Sequence, residues 1–229
     1  MARETAVVTG ASRGIGRATA LRLSAAYDIV AVARNASELD SLASEITIGG
    51  GTCRTIVLDI ADEEAVADAL RGITCDVLVN NAGVATMKPF LELSSHEWHR
   101  MVEVNFNALF YVTRALLPGM VERRHGFVVT IGSLAGRNTF VGGSCYAATK
   151  HAVNGFTECL MLEVRDANVR VAVVMPGSVE TFLTPVTGDQ SWKLTSNQIA
   201  DAVWYLVTQP DSVLVSRLEI RPAKAPKHR

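Results

Sequence analysis

The sequence predicts a three-layer α/β fold, a seven-stranded parallel sheet with helices on both faces, and three observations carry that prediction. Short runs rich in Val, Ile and Leu alternate with helix-period segments along the whole chain, the pattern of repeated strand-helix-strand units. Several runs are continuously apolar, as strands covered on both faces require. The length, 229 residues, suits one sizeable core and is short for two. Residues 1–229 are therefore expected to form a single domain.

Taken in order, the strands are expected at Ala6–Thr9, Ile29–Ala33, Arg54–Leu58, Val77–Asn80, Phe127–Ile131, Val169–Val174 and Val213–Ile220. Apolar residues at three- and four-residue spacing mark helices at Ile15–Ala26, Glu38–Ile46, Glu63–Leu70, Trp98–Glu122, Tyr146–Val164 and Asn197–Thr208. Right-handed crossovers and the Rossmann strand order, 3-2-1-4-5-6-7, bring the C-terminal ends of the first and fourth strands together. Such sheets bind their ligands in that crevice.

Composition narrows the function. Hydrophobic residues make up 48% and charged residues 20% of the chain, as in ordinary globular proteins. A net charge of −1 offers no overall field for nucleic acid or an anionic membrane. No apolar run reaches the roughly 18 residues of a membrane span, and the N-terminus lacks the apolar core of a signal peptide, so a cytoplasmic protein is expected. Cys53, Cys75, Cys145 and Cys159 show no CxxC spacing and are read as reduced thiols, with no metal site. Asn35-Ala36-Ser37 is a formal glycosylation acceptor that stays silent without export. The tail Pro222 to Arg229 reads as a solvated basic terminus.

The first strand runs into Thr9-Gly10-Ala11-Ser12-Arg13-Gly14-Ile15-Gly16, which opens a helix. Glycines at this spacing allow a tight turn, approach of the backbone to a pyrophosphate and close helix packing, while the helix N-terminus offers N–H groups to the phosphates. Gly10 to Gly14 also fits the GxSxG elbow of serine hydrolases, but that elbow takes an oxyanion donor from an earlier strand loop, and no earlier strand exists here. Dinucleotide sites for NAD carry an acid about 20 positions on, at the end of the second strand. Here Ala33 stands in that place and Arg34 follows it. Arg34 and Arg13 could converge on a 2′-phosphate, so NADP(H) is the expected cofactor.

Tyr146 and Lys150, four residues apart at the start of a helix, share one face. A phenol titrates near ~10, and an adjacent ammonium lowers that value, bringing proton transfer at neutral pH within reach. Ser133 lies thirteen residues before Tyr146 at the end of the fifth strand, and Asn80-Asn81-Ala82-Gly83 ends the fourth. His96-Glu97-Trp98-His99 lacks the HExxH spacing, and no glycine is followed by lysine, so zincin and P-loop chemistry find no motif.

On these residues the chain resembles the single-domain branch of the short-chain dehydrogenase/reductase family. The matching stretches are Thr9 to Gly16, Asp59-Ile60, Asn80 to Gly83, Val104-Asn105, Ser133, Tyr146 to Lys150, and Pro176-Gly177 with Thr181. The resemblance implies that Ser133 positions a carbonyl oxygen, that Tyr146 exchanges its proton, that Lys150 holds the nicotinamide ribose, and that Asn105 completes a water-linked relay. Gly10, Ser12, Arg13, Gly14, Ile15, Gly16 and Arg34, from the glycine turn and the end of the second strand, are expected at the cofactor phosphates, and the resemblance adds the rest of the cofactor site. Asp59 with Ile60 falls at the adenine, Asn81, Ala82 and Gly83 along the adenosine ribose, and Pro176, Gly177 and Thr181 around the nicotinamide. The implied activity is hydride transfer between NADP(H) and a small-molecule carbonyl or alcohol, of the carbonyl reductase or alcohol dehydrogenase type, in a homodimer or homotetramer built on Trp98–Glu122 and Tyr146–Val164. The competing reading is a dinucleotide-binding regulator without turnover, because fold alone never establishes activity.

Only about Ser178 to Ser196 is left for a substrate lid. Phe182, Leu183 and Trp192 could cover the pocket or simply pack. Arg137 could anchor a substrate carboxylate or face solvent.

Overall fold

The computed structural model describes residues 3–181, 183 and 189–224. The elements are β1 Thr5–Thr9, α1 Gly14–Leu23, β2 Asp28–Ala33, α2 Ala36–Ile48, β3 Cys53–Val57, α3 Glu63–Leu70, β4 Val77–Asn80, α4 Ser95–Val102, α5 Ala108–Arg123, β5 Gly126–Ile131, α6 Ser144–Val164, β6 Val169–Pro176, α7 Ser196–Val207 and β7 Arg217–Ile220. All seven strands pair in parallel in the order β3-β2-β1-β4-β5-β6-β7.

Alternation along each strand divides the core between the two faces. Val8, Ala31, Val79 and Val129 pack with Leu23 of α1, Leu39 and Leu42 of α2 and Leu206 of α7. Val7, Val30, Leu78 and Val128 pack on the other face with Val66 and Leu70 of α3, Leu116 of α5 and Leu160 of α6. Leu39, Leu42 and Leu206 are essentially sealed from water. Each such side chain contributes about 1.5–3 kcal/mol relative to exposure. The order reverses between β1 and β4, so the crevice opens above the C-terminal ends of these two strands.

The largest departures from the expected pattern are in the long fourth helix and the last strand. The span Trp98–Glu122 is not one α-helix: α4 and α5 are separated by a π-helical turn, Glu103–Asn107. The wider turn carries Asn105 inward, where its side chain pairs with the Val84 backbone. The last strand covers only Arg217–Ile220 of the expected Val213–Ile220. A turn at Pro210 to Val213, closed by Val213 N–H to the Pro210 carbonyl at 2.8 Å, comes first, and pairing with β6 begins at Val173 opposite Arg217. The β-branched residues before it are spent on a connection. At its other edge β6 continues two residues beyond Val174, to Pro176. No helix among the described residues is long and apolar enough to cross a membrane.

Candidate active site

A cleft of about 1180 Å³ lies over the C-terminal ends of the strands. The glycine turn forms one wall. Gly10 adopts φ +65°, a conformation side chains resist, and a Cβ there would lie 2.9 Å from the Ala82 Cα. A Cβ at Gly16 would come 2.2 Å from the Gly10 carbonyl oxygen, so the turn closes on itself only with glycine at 16. The Asn81 side chain ties this turn to β4, donating to the Thr9 carbonyl at 2.9 Å and the Gly10 carbonyl at 3.3 Å.

Helix α1 begins without a capping side chain and without an acid in its first turn. Helices α2, α3, α4 and α7 are each capped by a side chain, from Asn35, Asp62, Ser94 and Thr195. The first N–H groups of α1 thus face the cleft with the positive end of the helix dipole behind them, a seat for phosphate. This donor set fits a dinucleotide.

At the end of β2, Ala33 is small and buried, and Arg34 leans to Asp59, 3.8 Å away. Asp59 also accepts from Arg100 at 3.2 Å. Arg13, Arg34, Asp59, Ile60 and Arg100 all line the cleft, and Asp59 joins Arg34 and Arg100 into one cluster.

The other end is built from β5 and α6. Ser133 follows β5 and its Oγ accepts from Ala135 N–H at 3.0 Å, opening a short 3-10 turn. Tyr146 stands in the first turn of α6, largely buried, with Ser133 beside it in the cleft. Lys150, one turn later, is buried and donates to the Ile131 carbonyl at 2.9 Å. Burial brings the Lys150 ammonium down to about 8. Burial pushes the Tyr146 phenol up, against the smaller opposing effect of the neighbouring Ser133 side chain. This corrects the expectation that Lys150 lowers the phenol: Nζ is turned to Ile131 and lies 6.0 Å from the centre of the tyrosine ring.

Ser133, Tyr146, Lys150, Gly10, Ser12, Arg13, Gly14, Ile15, Arg34, Asp59, Ile60, Asn81, Ala82, Gly83, Pro176, Gly177 and Thr181 all line the cleft. Gly16 and Asn105 do not. Asn105 sits behind the wall, its amide donating to the Val84 carbonyl at 2.9 Å and Thr149 at 3.2 Å while its carbonyl accepts from Val84 N–H at 2.8 Å. A cavity of about 10 Å³ touches both Asn105 and Lys150, room for about one water.

The segment after β6 is clipped at its base by Leu194 N–H to the Ser178 carbonyl and Glu180 N–H to the Leu194 carbonyl, at 3.0 and 2.8 Å. Leu183 and Trp192 line the cleft, whereas Phe182 lies outside the described residues. Arg137 turns to Glu219 and does not line the cleft. Sequence reasoning missed Arg100, Lys193 and Arg221, all on the cleft wall. Arg221 carried a usable signal, since it directly follows a parallel strand, where such sheets place ligands.

The sheet order and the glycine turn define a doubly wound α/β protein of the dinucleotide-binding class. The family profile for short chain dehydrogenase matches residues 4–192. The chain is 34% identical to the NADP-dependent 3-hydroxy acid dehydrogenase of Shigella flexneri, with 94% of each covered, and 33% identical to the serine 3-dehydrogenase of Rhizobium radiobacter, covering 95% of this chain and 93% of that one. Its fold superposes on the closed form of a serine dehydrogenase complexed with NADP+ at a TM-score of 0.87, with 33% identity and coverage of 98% and 99%. This chain belongs to the short-chain dehydrogenase/reductase family and is an oxidoreductase of that family.

Proposed function

We propose that residues 1–229 act as one catalytic unit that moves a hydride between NADP(H) and a carbonyl or alcohol substrate, with Tyr146 as the proton donor and acceptor. The observation that carries this reading is the meeting of Ser133, Tyr146 and Lys150 with the glycine turn in one cleft. The phosphate preference rests on Ala33 in place of an acid and on Arg13 and Arg34 in the cleft lining, and it agrees with the NADP dependence named for a relative.

The bound nicotinamide supplies or accepts the hydride. Ser133 holds the substrate oxygen. Tyr146, kept neutral by burial, gives its proton to that oxygen as the carbonyl becomes an alcohol, and takes it back when the alcohol is oxidised. Lys150 has three N–H donors and spends one on Ile131, leaving two for the ribose hydroxyls and for a water shared with Asn105. That water would return the tyrosine's proton from solvent.

The relatives' substrates, 3-hydroxy acids and serine, place hydroxy acids first in a screen, ahead of simple ketones and aldehydes. A homodimer or homotetramer on α5 and α6 belongs to the same proposal, because Phe110, Val121 and Leu162 stand exposed there. The test is NADP+ reduction followed at 340 nm across hydroxy acids and secondary alcohols, with NAD+ in parallel. Turnover with NADP+ preferred is expected; binding without turnover on every substrate would contradict the reading.

A further inference from the structure

The end of the cleft beyond Ser133 carries an arrangement of charge that hydride transfer alone does not require. Gly177 N–H donates to the Ile220 carbonyl at 2.7 Å, and a Cβ at Gly177 would meet Pro222 Cδ at 3.1 Å and Leu134 Cδ1 at 3.2 Å. The chain from Ile220 to Pro222 therefore lies against the turn that follows Ser133. Glu219, near the end of β7, pairs through one carboxylate oxygen with Arg137 and through the other with Arg221 at 3.0 Å.

One carboxylate thus steadies two guanidiniums and leaves the cluster with a net positive charge. Arg221 lines the cleft, as does Lys193, which approaches from the segment before α7. The acids among the described lining residues are Glu38 and Asp59, and Asp59 is already paired with Arg34 and Arg100 at the opposite end. The substrate end is positive and without a lining carboxylate.

We propose that Arg221, supported by Lys193, binds a carboxylate of the substrate while the reacting carbon lies at Ser133 and Tyr146, and that Glu219 is a positioning residue for the Arg221 guanidinium. The substrate class is then an organic acid carrying its carboxylate a few bonds from the hydroxyl or carbonyl. This inference rests on the hydride-transfer reading above. Arg221 is half exposed, so its contribution is that of a partly screened charge-assisted bond rather than a sealed one.

The experiment compares 3-hydroxybutanoate with its methyl ester as substrates for NADP+ reduction, in the wild type, Arg221→Leu and Arg221→Lys. The wild type is expected to favour the acid in kcat/KM by about tenfold. Arg221→Leu should raise KM for the acid about tenfold, with kcat and the ester's constants little changed, and Arg221→Lys should recover part of the loss. NADPH titration of each variant reports that the cleft remains assembled. Equal use of acid and ester by the wild type, or an equal loss on both in Arg221→Leu, overturns the inference and leaves the hydride-transfer reading standing. Absence of oxidation of either compound and of every alcohol in the broader screen overturns both.

Discussion

Helices α1 and α3 each follow the C-terminal end of a parallel strand, on opposite faces of the sheet, and they begin in opposite ways. The first turn of α3 is closed: Asp62 accepts from Ala65 N–H at 3.0 Å, and Glu63 and Glu64 stand in that turn to meet the helix dipole. The first turn of α1 has neither; Gly14 lines the cleft, and Gly16 packs against the Gly10 carbonyl behind it. The closed end satisfies the fold, and the open end is where we propose that the cofactor phosphate binds. Stability and binding are separated along the chain, and substitutions can separate them experimentally.

The largest effect is expected from closing the open end. Arg13→Asp places a capping carboxylate where α1 lacks one and should weaken NADPH binding about a hundredfold while raising the stability of the unliganded protein by about 0.5–1 kcal/mol. Asp62→Ala at α3 should do the reverse, losing about 1 kcal/mol and leaving NADPH affinity within about twofold. Fluorescence titration and urea melts read both; equal effects at the two helices would break the comparison.

The same economy holds at Lys150, a buried ammonium at about 8 in the fold against 10.5 when free. Between those values the unfolded chain binds the proton that the folded chain has lost, so stability from this group rises with pH from about 8 to about 10.5, by about 3 kcal/mol across the interval. Cys53 and Cys75, pushed up by burial to about 11 and about 12, act in the opposite sense above pH 9. The quantity to measure is therefore the stability difference between the wild type and Lys150→Met, at pH 7.5 and at pH 9. It should move in favour of the wild type by about 1 kcal/mol over that step; a flat difference would show that the amine stays hydrated. A smaller change is expected on the phosphate side. Arg34→Ala, which also releases Asp59, should raise the dissociation constant for NADPH about tenfold or less and leave that for NADH within about twofold.

Much of this was legible in the residues themselves. β4 and α3 fall on their expected ends, and the strand order follows from the βαβ pattern. What escaped has physical reasons. One π-helical turn hardly disturbs the spacing of apolar residues, so the break at Glu103–Asn107 left no periodic trace. β-Branched residues at Val213 to Val215 read as strand although a neighbouring turn withholds them from the sheet. The charge cluster of Arg137, Glu219 and Arg221 unites residues about eighty positions apart, and only the closed sheet brings them together. The direction of the Tyr146 shift depended on where Nζ of Lys150 points, which spacing along a helix does not specify.

The claim that Tyr146 carries the proton is tested most directly by Tyr146→Phe, assayed for turnover and titrated with NADPH in the same preparation. Loss of turnover by about a thousandfold with cofactor affinity unchanged is the predicted result, since only the hydroxyl is removed. Turnover at the wild-type rate would contradict it.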